Sequence, residues 1–153
     1  IYSDPVAAPR EMEARLNATK VEMNDLFRQA DVITLHCPFI PENLHLINDK
    51  TLEMMKPTAI LVNASRGKMV DEAALVRALE SKRIKAAALD GSEFEPAITR
   101  ELIGMDNVVL VPHVGTCSYE ARVNMAKEAL TGMIAFLRGE TPPNIFNIAS
   151  LKR

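Results

Sequence analysis

Arg66 is the residue whose type and position most clearly indicate ligand chemistry. It follows Ala59-Ile60-Leu61-Val62, an apolar run that predicts a short buried strand, and precedes a helical pattern that opens at Asp71 and Glu72. Ligands of open α/β sheets bind at the carboxyl edge of the strands. An arginine at that edge can hold a carboxylate through two parallel hydrogen bonds. The alternative is a solvated loop arginine that pairs with Asp71 or Glu72.

Each of the other predicted strands also ends in a chemically capable residue. The carboxyl ends of parallel strands lie on one edge of a sheet, so we expect these endings to share a site with Arg66. A lone histidine such as His36 or His45 is more often structural than catalytic. His113 differs because it follows a proline and precedes a glycine-containing loop. The endings are Asp4, His36-Cys37-Pro38, Asn63 to Arg66, Asp90 and His113.

Taken together, these residue types predict redox chemistry on a small organic acid. An arginine fixes a carboxylate, and a histidine exchanges a proton near neutral pH. Glu95, taken alone, is a solvated loop acid, but a glutamate bonded to the histidine would orient its ring. Asp4, at the end of the first predicted strand, could accept hydrogen bonds from a ribose diol. The set predicts hydride transfer between a nicotinamide and a 2-hydroxy or 2-keto acid.

Composition narrows the class of protein. The chain has 153 residues, of which 48% are hydrophobic and 25% charged, as in a soluble globular domain. A net charge of −2 and only 5% aromatic residues give no case for nucleic acid or anionic membranes. The apolar runs are shorter than a membrane span. Cys37 and Cys117 show no metal-ligand spacing, and we expect a reducing, cytoplasmic setting without a metal.

Strand and helix patterns alternate along the chain, which predicts an α/β fold with a doubly wound parallel sheet. The long helix is expected to begin after Cys117 or Ser118 and to end by Gly139, and an extended tail follows from Thr141. Buried strands are predicted at 31–38, 59–62, 86–90 and 107–112, with a strand tail at 1–4. Helices are predicted at 11–16, at 22–30 with Asn24 or Thr19 near the cap, at 48–55 with Asn48 or Asp49 as the cap, after Asp71, and as one turn within 96–103.

Several motifs, in this order along the chain, resemble the D-isomer-specific 2-hydroxyacid dehydrogenases. They are Asp31 to Pro38, Asn43 to Ile47, Asn63-Ala64-Ser65-Arg66-Gly67, Ala88-Leu89-Asp90, Glu93-Phe94-Glu95-Pro96 and Pro112-His113-Val114-Gly115. The resemblance covers nearly the whole chain and looks closest to the D-lactate and D-2-hydroxyisocaproate branch. Formate dehydrogenases have glutamine at the position of Glu95, which argues against that branch.

The resemblance implies an NAD-dependent oxidoreductase that interconverts a D-2-hydroxy acid and its 2-keto acid. Arg66 would bind the substrate carboxylate, His113 would be the acid/base, and Glu95 its partner. Asp4 would bind the adenosine ribose and favour NAD over NADP. The implied cofactor-binding residues are Asp4, Cys37, Pro38, Asn43, Ala64, Ser65, Arg66, Asp90, His113 and Gly115. An NAD-responsive interaction module like the C-terminal-binding corepressors, or an inactive fragment, is the alternative.

Two features depart from the family pattern. Gly91 and Ser92 stand where the family has a valine and an aromatic residue. The Gly-x-Gly-x-x-Gly turn and the substrate domain are also absent, so the resemblance implies an incomplete Rossmann-type sheet. We expect residues 1–138 to be part of an NAD-binding domain, with 139–153 leading back to the substrate domain.

The missing first strand would lie at the centre of the sheet. Its absence predicts two half-sheets separated by roughly 10 Å, twice the strand spacing. The isolated piece is therefore expected to be inactive. The full-length protein is expected to be a homodimer.

Overall fold

Four parallel β-strands form the sheet on which the first part of the chain is built. The computed structural model describes residues 1–142 and residue 145. The strands lie in the order β1-β2-β3-β4, and every pairing is parallel. The predicted α/β fold with a parallel sheet is confirmed. The bounds are β1 (Val32–Leu35), β2 (Ile60–Asn63), β3 (Ala86–Asp90) and β4 (Val108–Val111).

Side-chain caps begin three of the helices. Asn48 accepts hydrogen bonds from the backbone N–H groups of Lys50 and Thr51. Ser118 accepts one from Ala121, and Asp71 accepts one from Ala74. These contacts satisfy N–H groups that have no partner within the helix, and they confirm the caps expected at Asn48 and Ser118. The helices are α1 (Arg10–Leu16), α2 (Met23–Gln29), α3 (Asp49–Met54), α4 (Glu72–Glu80) and α5 (Tyr119–Leu137).

The expected cap of α2 is wrong. The N-cap residue is Glu22, whose side chain makes no capping bond. Asn24 lies inside the helix. Thr19 lies three residues before the N-cap, and its carbonyl accepts the backbone N–H of Tyr2 at 3.0 Å.

The two outer strands are less buried than their apolar sequences predict. In β1, Ile33 and Leu35 are buried, but Val32 is 58% exposed. In β4, Val109 is 61% exposed and Val111 is 37% exposed. Strands at the edge of a sheet have a neighbour on one side only, and an apolar run does not distinguish them from central strands.

Helix α4 supplies much of the core that covers the sheet. The residues expected on its inner face, Ala74, Leu75, Ala78 and Leu79, are all buried. They belong to one cluster with Leu61 and Leu89 of the central strands and with Ile47, Met69 and Val70 of the connecting segments. Glu72, in the first turn of α4, is also buried, at 1% exposure.

The N-terminal segment pairs outside the four-stranded sheet. Tyr2 forms an isolated parallel bridge with Lys20. Its hydroxyl donates to Glu13 Oε1 at 2.6 Å and accepts from the backbone N–H of Ala8 at 2.8 Å. The bond to the Glu13 carboxylate raises the pKa of Tyr2. A groove of about 780 Å³ is lined by residues 1–4 on one side and by residues of β1 on the other. This groove lies where the gap in the sheet was expected.

The chain divides into two compact units, Ile1–Pro112 and His113–Arg153. In the second unit, α5 is followed by Gly139, whose φ of 75° suits a residue without a side chain. Most of the extended tail expected from Thr141 lies outside the described residues. The expected division at residue 138 lies close to them and stays a prediction. No helix among residues 1–142 and 145 combines the length and apolar character that crossing a membrane requires.

Candidate functional site

A cleft of about 780 Å³ lies at the carboxyl edge of the sheet in the first unit. It gathers side chains that follow three different strands, as the sequence predicts. Six of the expected site residues line it: Cys37, Pro38, Ala64, Ser65, Arg66 and Glu95. The other lining residues are His36, Phe39, Gly67, Lys68, Ser92 and Glu93.

A hydrogen-bonded turn at the end of β2 fixes the loop that carries Arg66. Asn63 is 1% exposed and lies opposite Leu35 and Leu89 of the neighbouring strands. Its Oδ1 accepts the Ser65 backbone N–H at 3.0 Å, and its Nδ2 donates to the Arg66 carbonyl at 2.9 Å. The Ser65 hydroxyl donates to the carbonyl of Cys37. The turn therefore ties the Arg66 loop to the end of β1.

The guanidinium of Arg66 is not held by the neighbouring carboxylates. Its Nη1 donates to the Ser65 carbonyl at 3.0 Å. Asp71 Oδ1 accepts the Ala74 N–H, and both carboxylate oxygens of Glu72 are bonded to other residues. Arg66 is exposed, as the alternative of a solvated loop arginine expects, but it forms no ion pair with Asp71 or Glu72, so that pairing is wrong. Since guanidinium has five N–H donors in a rigid fork, Arg66 retains the capacity to bind a carboxylate at two points.

The second groove, which contains Asp4, meets this cleft. His36, Cys37 and Pro38 line both. The groove with Asp4 and the cleft with Glu95 are therefore neighbours along the end of β1. Asp4 Oδ1 accepts the Val6 N–H at 2.8 Å, which fixes the carboxylate at its end of the groove.

Asn43, another expected cofactor residue, holds its own loop in shape. Its Oδ1 accepts the Ile40 N–H at 2.9 Å, and its Nδ2 donates to the Pro38 carbonyl at 2.8 Å. Asn43 thus fixes the backbone of a residue that lines both the cleft and the groove.

The loop after β3 carries Glu95 to the cleft. Asp90 ends β3 opposite Val111. Gly91 has a φ of 112°, a conformation that side chains disfavour. Ser92 donates its hydroxyl to the carbonyl of Ala97 at 2.6 Å, which closes the loop around Glu95. Gly91 and Ser92, which depart from the family pattern, therefore serve the local geometry of this loop.

His113 and Gly115 begin the second unit. His113 follows Pro112 and has a φ of 53°. The backbone N–H of Cys117 donates to the Val114 carbonyl at 2.9 Å, which forms the turn before the Ser118 cap of α5. The roles expected of His113 and Gly115 stay predictions.

The structure also contains a carboxylate cluster that the sequence analysis missed. Glu93 Oε1 lies 2.6 Å from His45 Nε2, and Glu93 Oε2 accepts the Glu72 backbone N–H at 3.0 Å. Glu72 Oε1 accepts the Glu93 N–H at 2.8 Å, and Glu72 Oε2 accepts the Thr99 hydroxyl. The structural role given to His45 fits this pairing. In the sequence, Glu72 carried no signal beyond its place at a helix start.

Among the described residues, no group of three or more His, Cys, Asp and Glu side chains could hold a metal ion.

Comparison with known proteins identifies the family. Residues 1–115 match the model of the D-isomer specific 2-hydroxyacid dehydrogenase NAD-binding domain. The glyoxylate reductase of Pyrococcus horikoshii is 46% identical over 142 residues, which are 93% of this chain and 42% of that protein.

Solved structures agree with this match. The holo form of Rhodotorula graminis D-mandelate dehydrogenase superposes with a TM-score of 0.88 at 33% identity, over 94% of this chain and 43% of that one. The NAD-complexed D-isomer specific 2-hydroxyacid dehydrogenase of Lactobacillus delbrueckii superposes with a TM-score of 0.85 at 31% identity. The superposition covers 95% of this chain and 48% of that one. The fold is therefore of the Rossmann type. The chain spans less than half the length of these relatives.

Proposed function

Because this chain belongs to the D-isomer specific 2-hydroxyacid dehydrogenase family, we propose that the protein containing it is an NAD-dependent oxidoreductase. It interconverts a D-2-hydroxy acid and its 2-keto acid. The observation that carries the proposal is the position of Arg66, fixed by the Asn63 turn and lining a cleft at the carboxyl edge of the sheet.

The shape and chemistry of this edge fit a nicotinamide dinucleotide. The cleft and the neighbouring groove share three lining residues and together offer room for an extended molecule, and Asp4 is a carboxylate suited to a ribose diol. Pro38 and Ala64 offer apolar walls. The set that the family resemblance assigns to the cofactor is completed by Cys37, Asn43, Ser65, Arg66, Asp90, His113 and Gly115. When bound, the nicotinamide supplies or accepts the hydride.

Three residues of this chain serve the substrate. Arg66 holds the carboxylate and fixes which face of the carbonyl is presented. His113 donates a proton to the carbonyl oxygen during reduction and removes it during oxidation. Glu95 orients the imidazole. The roles of His113 and Glu95 follow from the motifs that carry the resemblance.

The test is NADH oxidation by the full-length protein with a panel of small 2-keto acids. Glyoxylate and phenylglyoxylate represent the glyoxylate reductase and the D-mandelate dehydrogenase named above, and pyruvate and 4-methyl-2-oxopentanoate represent the D-lactate and D-2-hydroxyisocaproate branch. Acetaldehyde, which lacks the carboxylate, is the matched control. We expect turnover of at least one acid and none of acetaldehyde. NADH binding without turnover of any acid would contradict the proposal and favour an NAD-responsive interaction module.

A homodimer and a cytoplasmic location stay predictions for the full-length protein.

A further inference from the structure

Glu72 and Glu93 bind each other's backbone. Each carboxylate accepts the backbone N–H of the other residue, at 2.8 and 3.0 Å. The two remaining carboxylate oxygens are bonded to the Thr99 hydroxyl and to His45 Nε2. We call these four residues the carboxylate clasp. All four carboxylate oxygens therefore have a partner inside the protein.

The clasp joins three segments that are far apart in sequence. Glu72 follows the loop of Arg66, and Glu93 and Thr99 lie on either side of Glu95 in the loop after β3. His45 belongs to the segment after β1. The backbone N–H of His45 donates to the Lys68 carbonyl at 3.0 Å. Direct hydrogen bonds thus connect the start of α4, which follows the Arg66 loop, to the loop that carries Glu95.

Burial makes this connection stiff. Glu72 is 1% exposed, and the side chain of Glu93 is 9% exposed. A buried carboxylate that loses a hydrogen-bond partner is destabilised, because neither water nor protein then replaces the lost bond. Separating the start of α4 from the loop after β3 would leave the Glu72 carboxylate without its two donors and the Glu93 carboxylate with His45 alone, so the two segments have one favoured spacing.

Gly67 allows this spacing. A Cβ atom built on Gly67 would overlap the carbonyl of Ser92 and lie 2.6 Å from the Glu93 nitrogen. The backbone beside Arg66 therefore rests directly on the backbone beside Glu93. The hydrogen bonds of the clasp hold the Glu93 loop close to the segment that begins at Arg66, and the backbone contact at Gly67 limits how close it can come.

We propose that the carboxylate clasp is a positioning device that sets the distance between Arg66 and the Glu95 loop and so controls affinity for the substrate carboxylate. Glu72, Glu93, Thr99 and His45 are positioning residues, because they act through Arg66 and Glu95. This inference rests on the proposed function.

The test measures steady-state kinetics of the full-length protein with its best 2-keto acid. In Glu93→Ala, we expect the KM of the acid to rise at least tenfold and the dissociation constant of NADH to change less than twofold. Glu93→Gln keeps one oxygen that can accept the Glu72 N–H, so it should restore most of the affinity. Thr99→Val removes only the hydroxyl and should raise KM in the same direction by a smaller factor.

Asp49→Ala is the matched control. It removes the 2.7 Å ion pair between Asp49 and Arg77, which also joins two segments but contacts neither loop. We expect its KM to equal that of the unaltered protein. Hydrogen exchange at the Glu72 and Glu93 amides provides a readout independent of turnover, and Thr99→Val should accelerate exchange at Glu93.

The outcomes separate the two proposals. If the unaltered protein reduces a 2-keto acid but Glu93→Ala and Thr99→Val lower only the active fraction, with KM unchanged, the positioning inference is wrong and the proposed function stands. If the unaltered protein reduces none of the acids, the proposed function fails and the positioning role falls with it. Fast exchange at both amides in the unaltered protein would overturn the clasp itself.

Discussion

We expect Arg66 to bind the substrate carboxylate through geometry as well as charge, and this distinction can be measured. A lysine keeps the charge but loses the rigid fork. A hydrogen bond to a charged group contributes about 1.5–3 kcal/mol, so Arg66→Lys should lower kcat/KM for the 2-keto acid roughly 10- to 100-fold. Lys68→Gln is the control, because Lys68 is an exposed cation that lines the same cleft. We expect little change in Lys68→Gln. An unchanged kcat/KM in Arg66→Lys would mean that Arg66 acts only through its positive charge.

Asp4 is expected to determine the choice of cofactor. Its carboxylate would repel the 2′-phosphate of NADP. Two charges 4 Å apart near a protein surface interact by about 1–4 kcal/mol, so Asp4→Asn should lower the preference for NADH over NADPH roughly tenfold. Asp31→Asn is the control, since Asp31 lines the same groove but pairs with Lys56 at 2.8 Å. An unchanged ratio of kcat/KM values in Asp4→Asn would refute this role.

At the scale of the elements, the cap of α3 is a local device with a measurable contribution to stability. Asn48 accepts two backbone N–H bonds, and its own N–H donates to the Thr51 hydroxyl at 2.9 Å. Asn48→Ala should lower the free energy of unfolding by about 1 kcal/mol, measured by urea titration. Asp49→Ala should cost less, because the Asp49 and Arg77 side chains are more than half exposed. The reverse ranking would show that the ion pair, and not the cap, holds α3.

The elements that sequence patterns predicted are those that depend on adjacent residues. The caps at Asn48 and Ser118 need only the next turn of chain, and the end of β2 at Asn63 is bounded by its own polar turn. The contacts of the clasp span 21 residues between Glu72 and Glu93 and 48 between His45 and Glu93. They exist only after the sheet has aligned its strand ends, so no local pattern marks Glu72 as buried.

At the scale of the whole molecule, β1 is an outer strand with an accessible edge. Its open side faces the groove that residues 1–4 also line, and Val32 is largely exposed there. Accessible strand edges template pairing with other chains. The polypeptide of these 153 residues should therefore self-associate, and Val32→Lys should shift it towards monomer in light scattering. Met12→Lys on α1 adds the same charge away from the sheet. A monomeric unaltered polypeptide, or equal effects of both substitutions, would contradict this expectation.

The order of the strands in the sheet is the same as their order along the chain. A nascent polypeptide emerging from the ribosome therefore has β1 available before β2, and each later strand meets an edge that is already formed. None of these four strands has to be inserted between two earlier ones, which keeps the loops closed at each step short. The four strands can assemble vectorially during translation, and the carboxylate clasp is completed as soon as β3 and the loop behind it have left the exit tunnel.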